Sequence, residues 1–410
     1  MPLLKTLFIN KILLFLVVSM VSLSAMALDF NETQRLANQG DVESQFYIGR
    51  MYSQGEGVRQ DYTKAREWYL KAANQGDASS QANLGYIYQY GEGVRQDYTK
   101  AREWYEKAAN QGIGEAQFNL GLIYNNGNGV RQDYAKAVEW YRKAANQGIG
   151  EAQANLGLMY NKGNGVRQDY SKAMEWYTKA AHQGIADAQY NLGLMYSQGE
   201  GVRQDYAKAV EWYRKAANQG HADAQFNLGV MYNDGNGVRQ DYSKAMEWYT
   251  KAANQGGADA QAGIATMYYR GEGVRQDYAK AVELYTKSAN RGYVSAQFNL
   301  GVMYDRGEGV RQDYAKAREW YLKAANQGHA NAQANLGLMY NKGNGVRQDY
   351  AKAVEWYTKA ANQGSAEAQF NLGVMYYQGQ GTRQNSAIAK EFFGKACDNA
   401  LQIGCDQYRK

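Results

Sequence analysis

The sequence repeats itself every 36 residues without an insertion or a deletion, and this period limits the fold more than any other feature. A closing glycine falls at Gly40, Gly76, Gly112, Gly148, Gly184, Gly220, Gly256, Gly292, Gly328 and Gly364. Ten units therefore fill residues 41–400, at 41–76, 77–112, 113–148, 149–184, 185–220, 221–256, 257–292, 293–328, 329–364 and 365–400. A period of this length predicts an array in which each unit packs only on its neighbours, giving one ribbon-like core instead of separate globular domains. The sole proline is Pro2, which suits a chain of many helices because an interior proline breaks the backbone ladder.

Each unit reads as helix, loop, helix. In unit 149–184, Ala152, Leu156, Met159 and Tyr160 recur at the spacing of one helical stripe. Gly157 interrupts that helix at a cost of about 1 kcal/mol against alanine, so close approach of a neighbouring helix is expected there. Gly163-Asn164-Gly165 predicts a helix end and a turn with positive φ. The same Gly-x-Gly runs from Gly55/Gly57 to Gly379/Gly381. No strand precedes it and no Lys-Ser/Thr follows, which excludes a phosphate loop. Asp169 is the expected N-cap of the second helix. Tyr170, Ala173, Trp176, Tyr177 and Ala180 form its expected buried stripe, and Glu175–Lys179 an i,i+4 ion pair.

The ends differ from the array. Residues 1–27 read as an export signal: Lys5 and Lys11, then the apolar run Ile12 to Leu23, then the small-x-small site Ala25-Met26-Ala27. A mature chain starting at Leu28 is expected, an uncleaved membrane anchor being the alternative. Residues 28–40 form a half unit, read as an N-terminal capping helix, and residues 401–410 a C-terminal cap. The net charge of +6 is small and arises from mixed-sign pairs, which argues against a nucleic-acid partner.

The units resemble the Sel1-like repeat (SLR) of the tetratricopeptide superfamily. The resemblance is carried by Ala152-x-x-Asn155-Leu156-Gly157-x-Met159-Tyr160, by Gly163-x-Gly165-Val166 and by Asp169-Tyr170-x-Lys172-Ala173-x-Glu175-Trp176-Tyr177-x-Lys179-Ala180-Ala181. It implies an all-α fold, an α/α superhelical solenoid of ten helix-turn-helix repeats with terminal capping helices. It also implies a scaffold for protein–protein contacts, often at the bacterial envelope. Unit 257–292 departs from the pattern with Gly263-Ile264-Ala265, Leu284, Ser288 and Arg291, which reads as drift before it reads as a softer joint. The last unit has Asn385, Phe392 and Phe393 in place of Asp, Trp and Tyr, a terminal adaptation. Cys397 and Cys405 have the spacing of the helix-bridging disulfide of cysteine-rich SLR proteins, and an exported context favours the bridge. Those relatives also supply the alternative reading, β-lactam or peptidoglycan-fragment binding and hydrolysis.

Catalysis needs one asymmetric constellation, and this chain offers ten copies of the same side chains. His182, His221 and His329 have no metal spacing, no nucleophile–base pair involves Ser171 or Ser243, and no cofactor is expected. Arg59 and its nine equivalents are read as pairing with loop carbonyls and carboxylates such as Asp61. The tryptophan column from Trp68 to Trp356 is read as core. What remains is binding by a monomeric scaffold. Two columns vary on the first helices: an apolar one holding Phe118, Tyr190, Phe226, Phe298 and Phe370, alternating with alanines, and a polar one holding Asn125, Asn161, Asn233, Tyr269 and Asn341. These are the candidate groove residues for an extended or helical peptide of a protein partner. The Asn83 column is read as tying one helix pair to the next. Residues 153–170 and 333–350 are identical, which points to recent internal duplication and favours a long contact surface over one active site.

Overall fold

The computed structural model describes residues 29–409; the proposed export signal at 1–27 lies outside them. Among the described residues there are twenty-two helices and no strand. The chain divides into two compact units, one ending at Arg203 and one beginning at Gln204, each a stack of α-helical hairpins.

In the first unit α1 (Phe30–Asn38) covers the open end of the stack. Its Ala37 is buried and its Phe30 ring meets Tyr52 edge-on at 5.7 Å. Four hairpins follow: α2 (Val42–Gln54) with α3 (Tyr62–Asn74), α4 (Ala78–Tyr90) with α5 (Tyr98–Asn110), α6 (Gly114–Asn126) with α7 (Tyr134–Asn146), and α8 (Gly150–Lys162) with α9 (Tyr170–His182). α10 (Ala186–Gln198) closes the unit. The second unit starts at α11 (Tyr206–Asn218) and continues in the hairpins α12 (Ala222–Asp234) with α13 (Tyr242–Asn254), α14 (Ala258–Arg270) with α15 (Tyr278–Asn290), α16 (Val294–Arg306) with α17 (Tyr314–Asn326), α18 (Ala330–Lys342) with α19 (Tyr350–Asn362), and α20 (Ala366–Gln378) with α21 (Ser386–Asp398). α22 (Gln402–Tyr408) packs on α21.

Local chemistry sets these boundaries. Every second helix that follows a Gly-x-Gly in the first unit starts on an aspartate; Asp61 Oδ1, for example, accepts the Lys64 backbone N–H at 3.1 Å. The first helices end on a left-handed glycine, as at Gly55 with φ 76°. Gln60 then staples the loop, its amide donating to the Ser53 carbonyl at 2.7 Å and to the Tyr62 hydroxyl at 3.0 Å. The second glycine has a separate task. A Cβ on Gly93 would lie 2.7 Å from the Thr63 backbone nitrogen and 2.9 Å from Tyr62 Cβ, so this loop is stacked directly on the start of the preceding second helix, as are the loops after it.

The core is a row of small and large side chains. Ala65, Tyr69 and Ala73 of α3 are buried in one cluster with Leu84 and Ile87 of α4. The mid-helix glycine has the expected cause: a Cβ on Gly157 would sit 2.8 Å from the Tyr177 ring, and one on Gly85 2.5 Å from the Tyr105 ring. A second lattice runs through glutamines. The Gln75 amide donates to Gln45 Oε1 at 2.9 Å and to the Gly40 carbonyl at 3.2 Å, while Gln45 donates to the Ala37 carbonyl at 3.1 Å. That relay, buried at Gln45, ties the hairpin to the helix before it and recurs at Gln111–Gln81 and Gln147–Gln117.

Three expectations change here. The Asn83 column reaches the neighbouring pair only in part: Asn83, Asn119 and Asn155 donate to carbonyls one turn back in their own helices, at 2.9–3.0 Å, while Asn299 and Asn335 stand beside the Tyr285 and Tyr321 hydroxyls of the preceding hairpin. Trp176 is half-buried, not core, as are its equivalents beyond Trp68. Each indole face carries the lysine three residues on, with Lys71 3.6 Å from the Trp68 ring centroid and Lys179 4.2 Å from that of Trp176. His221 and His329 are more than solvated turn residues, since each caps a first helix, Nδ1 accepting the Ala224 or Ala332 N–H at 3.2 and 3.3 Å.

Candidate functional site

Within each unit the first helices of successive hairpins touch across the second helix between them, as α4 with α6, α14 with α16 and α18 with α20. The varied columns therefore share one face. Their side chains are more deeply engaged than an open groove requires. Phe118 is half-buried, its ring centroid 6.0 Å from that of Tyr141 in the same hairpin. Phe226 meets Tyr249 at 5.7 Å, Phe298 meets Tyr321 at 5.9 Å, and Phe370 meets Phe393 at 5.6 Å. Phe298 also stacks on His329 at 4.5 Å, and burial lowers the pKa of that imidazole. Tyr190 is half-buried at the same register.

Two members of the polar column lie beside the hydroxyl ends of buried tyrosines. Ser53 Oγ lies 3.2 Å from the Tyr69 hydroxyl, and Asn341 stands beside that of Tyr357. Asn125 and Asn233 turn aside to Asn126 Oδ1 and Asp234 Oδ1, both at 2.8 Å. The Asn161 carbonyl accepts from Gln168 at 2.8 Å, and the Tyr269 hydroxyl donates to Glu308 at 2.8 Å. The hydroxyls of Tyr105, Tyr141 and Tyr177 are buried without a hydrogen-bond partner. Burial pushes all three above the ordinary tyrosine range.

The arginine column is the clearest departure from the sequence reading. Arg59, Arg95, Arg131, Arg167 and Arg203 in the first unit, and Arg239, Arg275, Arg311, Arg347 and Arg383 in the second, are all exposed. None makes a side-chain hydrogen bond or an ion pair with a loop carbonyl or with Asp61 and its equivalents. Those aspartates are engaged by helix N–H groups and by lysines, as Asp169 is by Lys172 at 3.5 Å. Sequence reasoning had no signal for this, because an arginine beside an aspartate is ordinarily a pair.

At the end of the chain Cys397 and Cys405 form a disulfide that joins α21 to α22. Ala400 occupies the place of the closing glycine with φ 64°, and Gly404 admits α22 against Ala396. Among the described residues no three His, Cys, Asp or Glu side chains gather as a metal site would require, and no helix is long and apolar enough to cross a membrane.

The Sel1 repeat family model matches ten successive stretches, 42–77, 78–113, 114–149, 150–185, 186–221, 222–257, 258–293, 294–329, 330–365 and 366–401. The fold is similar to that of c5321, a protective antigen present in uropathogenic Escherichia coli strains and displaying an SLR fold. That likeness is 40% identical, covers 93% of this chain and 82% of the other, and has a TM-score of 0.79. A Sel1 repeat protein from Oxalobacter formigenes is 36% identical over 75% of this chain and 89% of its own, with a TM-score of 0.57. No curated protein sequence matches the chain significantly. With the hairpin geometry, the capped loops and ten matched stretches in agreement, the chain belongs to the Sel1-repeat family.

Proposed function

We propose that the protein is an exported scaffold that binds a protein partner along its first-helix face, and that residues 1–27 direct its export to the periplasm or cell envelope. The observation that carries this reading is where variation falls. Columns constant through the array serve caps, turns and packing, the arginine column aside, whereas the two varied columns share one face above buried tyrosine hydroxyls. Half-buried aromatics next to amides offer contact area at low entropic cost. The disulfide supports an oxidising compartment, and the likeness to a protective antigen supports an envelope or surface setting.

The test is capture from envelope or host extract by the wild-type chain and by a Phe118/Phe226/Phe298 alanine variant of unchanged helix content. Loss of a partner by the variant alone supports the face. An identical partner set in both refutes it. Mass spectrometry of the exported chain, showing a start at Leu28, checks the processing.

A further inference from the structure

The exposed arginine column is constant in all ten repeats while its exposed neighbours drift. Three residues beyond the loop's Gln60, the position of Thr63 is held by threonine, alanine or serine in the other units, and the residue inside Gly-x-Gly by Glu, Asn or Gln. Gln60 is fixed by the bonds that staple the loop. The arginines have no such internal duty.

Within each compact unit the loops also stack into an edge. Gly93 lies against Tyr62 and Thr63, Gly129 against Tyr98 and Thr99, Gly165 against Tyr134 and Gly201 against Tyr170, each a contact too close for a Cβ. Gly237, Gly273, Gly309, Gly345 and Gly381 repeat this in the second unit. Each unit thus presents five exposed guanidinium groups along this edge, one per repeat. Part of the competing charge on this edge is spent. Glu56, Glu272 and Glu308 face Arg50, Arg270 and Arg306 of their own first helices. The cap aspartates accept backbone N–H groups, and the lysines after them lie over tyrosine rings, as Lys172 over Tyr160.

We propose that this loop edge binds a linear acidic polysaccharide, its carboxylates paired with successive arginines and its hydroxyls meeting the aspartate and glutamine side chains between them. Guanidinium groups favour carboxylates in a two-point geometry. The row is too sparse for nucleic acid, whose phosphates recur about every 3.4 Å along a strand and would press against the intervening aspartates.

The test uses the full exported chain and alginate oligosaccharides, with binding measured by calorimetry at low salt. Arg95→Ala/Arg131→Ala/Arg167→Ala weakens binding about ten-fold, the loss of three exposed charge-assisted contacts. Lys107→Ala/Lys143→Ala/Lys179→Ala removes the same charge from the second helices and changes it far less. Circular dichroism confirms that both variants fold. Equal weakening by the two variants overturns the proposal, as does absence of alginate binding. So does tighter binding of polyglutamate or single-stranded DNA, which would make the row a reader of acidic peptides or nucleic acid.

Discussion

The stacking of loop on helix can be isolated by two alanine substitutions at the same place in successive repeats. Gly57 and Gly93 are both the second glycine of a Gly-x-Gly, with φ 71° and 64°. Alanine at either carries the left-handed penalty of about 1–2 kcal/mol, partly offset by a stiffer unfolded chain worth about 0.4–1 kcal/mol. The surroundings differ. A Cβ on Gly57 meets only the flexible Met51 Cε at 3.4 Å, because α1 is a half unit and offers no second-helix start. A Cβ on Gly93 meets the Thr63 nitrogen at 2.7 Å and the Tyr62 carbonyl carbon at 2.8 Å, atoms of rigid backbone. Gly93→Ala must therefore push two hairpins apart, adding an overpacking cost of about 1–3 kcal/mol. A repeat array need not unfold in one step, so the readout is native-state hydrogen exchange across α2 to α5, supported by urea titration. The expected result is mild destabilisation by Gly57→Ala and a loss larger by about 1–3 kcal/mol for Gly93→Ala, centred on the α3–α4 junction. If the two losses agree within about 0.5 kcal/mol, the limit of ordinary surface effects, the loops are not stacked as described.

Other outcomes follow from single sites. Replacing Cys397 and Cys405 by serine loses about 2–3 kcal/mol on the chain-entropy model, confined to α22 and the end of α21, as exchange will show. Ala400→Gly relieves the left-handed alanine and stabilises the same corner by about 1 kcal/mol, read as a rise in thermal midpoint. Arg291 keeps the bond to the Gly256 carbonyl but leaves Gln261 Oε1 buried without a partner. Arg291→Gln restores the relay seen at Gln75 and Gln45 and stabilises the chain by about 1 kcal/mol. Alkaline titration is the last. Burial pushes the Tyr357 hydroxyl up to about 12, so the folded chain keeps its proton where the unfolded chain begins to lose it near 10. Stability is full below the unfolded value and falls as pH rises through that window. The part of the tyrosinate absorbance that a Tyr357→Phe variant lacks should therefore appear together with loss of helix, and not before it.

Residues that act within one turn or one loop were legible in the sequence. The aspartate caps, the left-handed glycines and the close approach at Gly157 follow from backbone rules that hold wherever the chain goes next. The buried tyrosines were legible too, because their spacing from the alanines of the same helix defines a stripe. The Gln75–Gln45–Ala37 relay was not, since its members lie 30 and 8 residues apart and meet only when hairpins stack. Trp176 was misplaced for a related reason: helical spacing puts it at the edge of the stripe, and only the register of neighbouring helices decides which way an edge residue faces. The columns at Phe118 and Asn125 were found by their variation, but variation gave no hint that they close over tyrosines of the same hairpin. The arginines carry the strongest lesson for repeat proteins. Constancy through an array reads as lattice packing, which holds for Gln60, whose amide staples the loop, and fails for Arg59, which makes no hydrogen bond or ion pair in the fold. A residue copied ten times without an internal partner has its reason outside the chain, and the loop edge is where that reason should be sought.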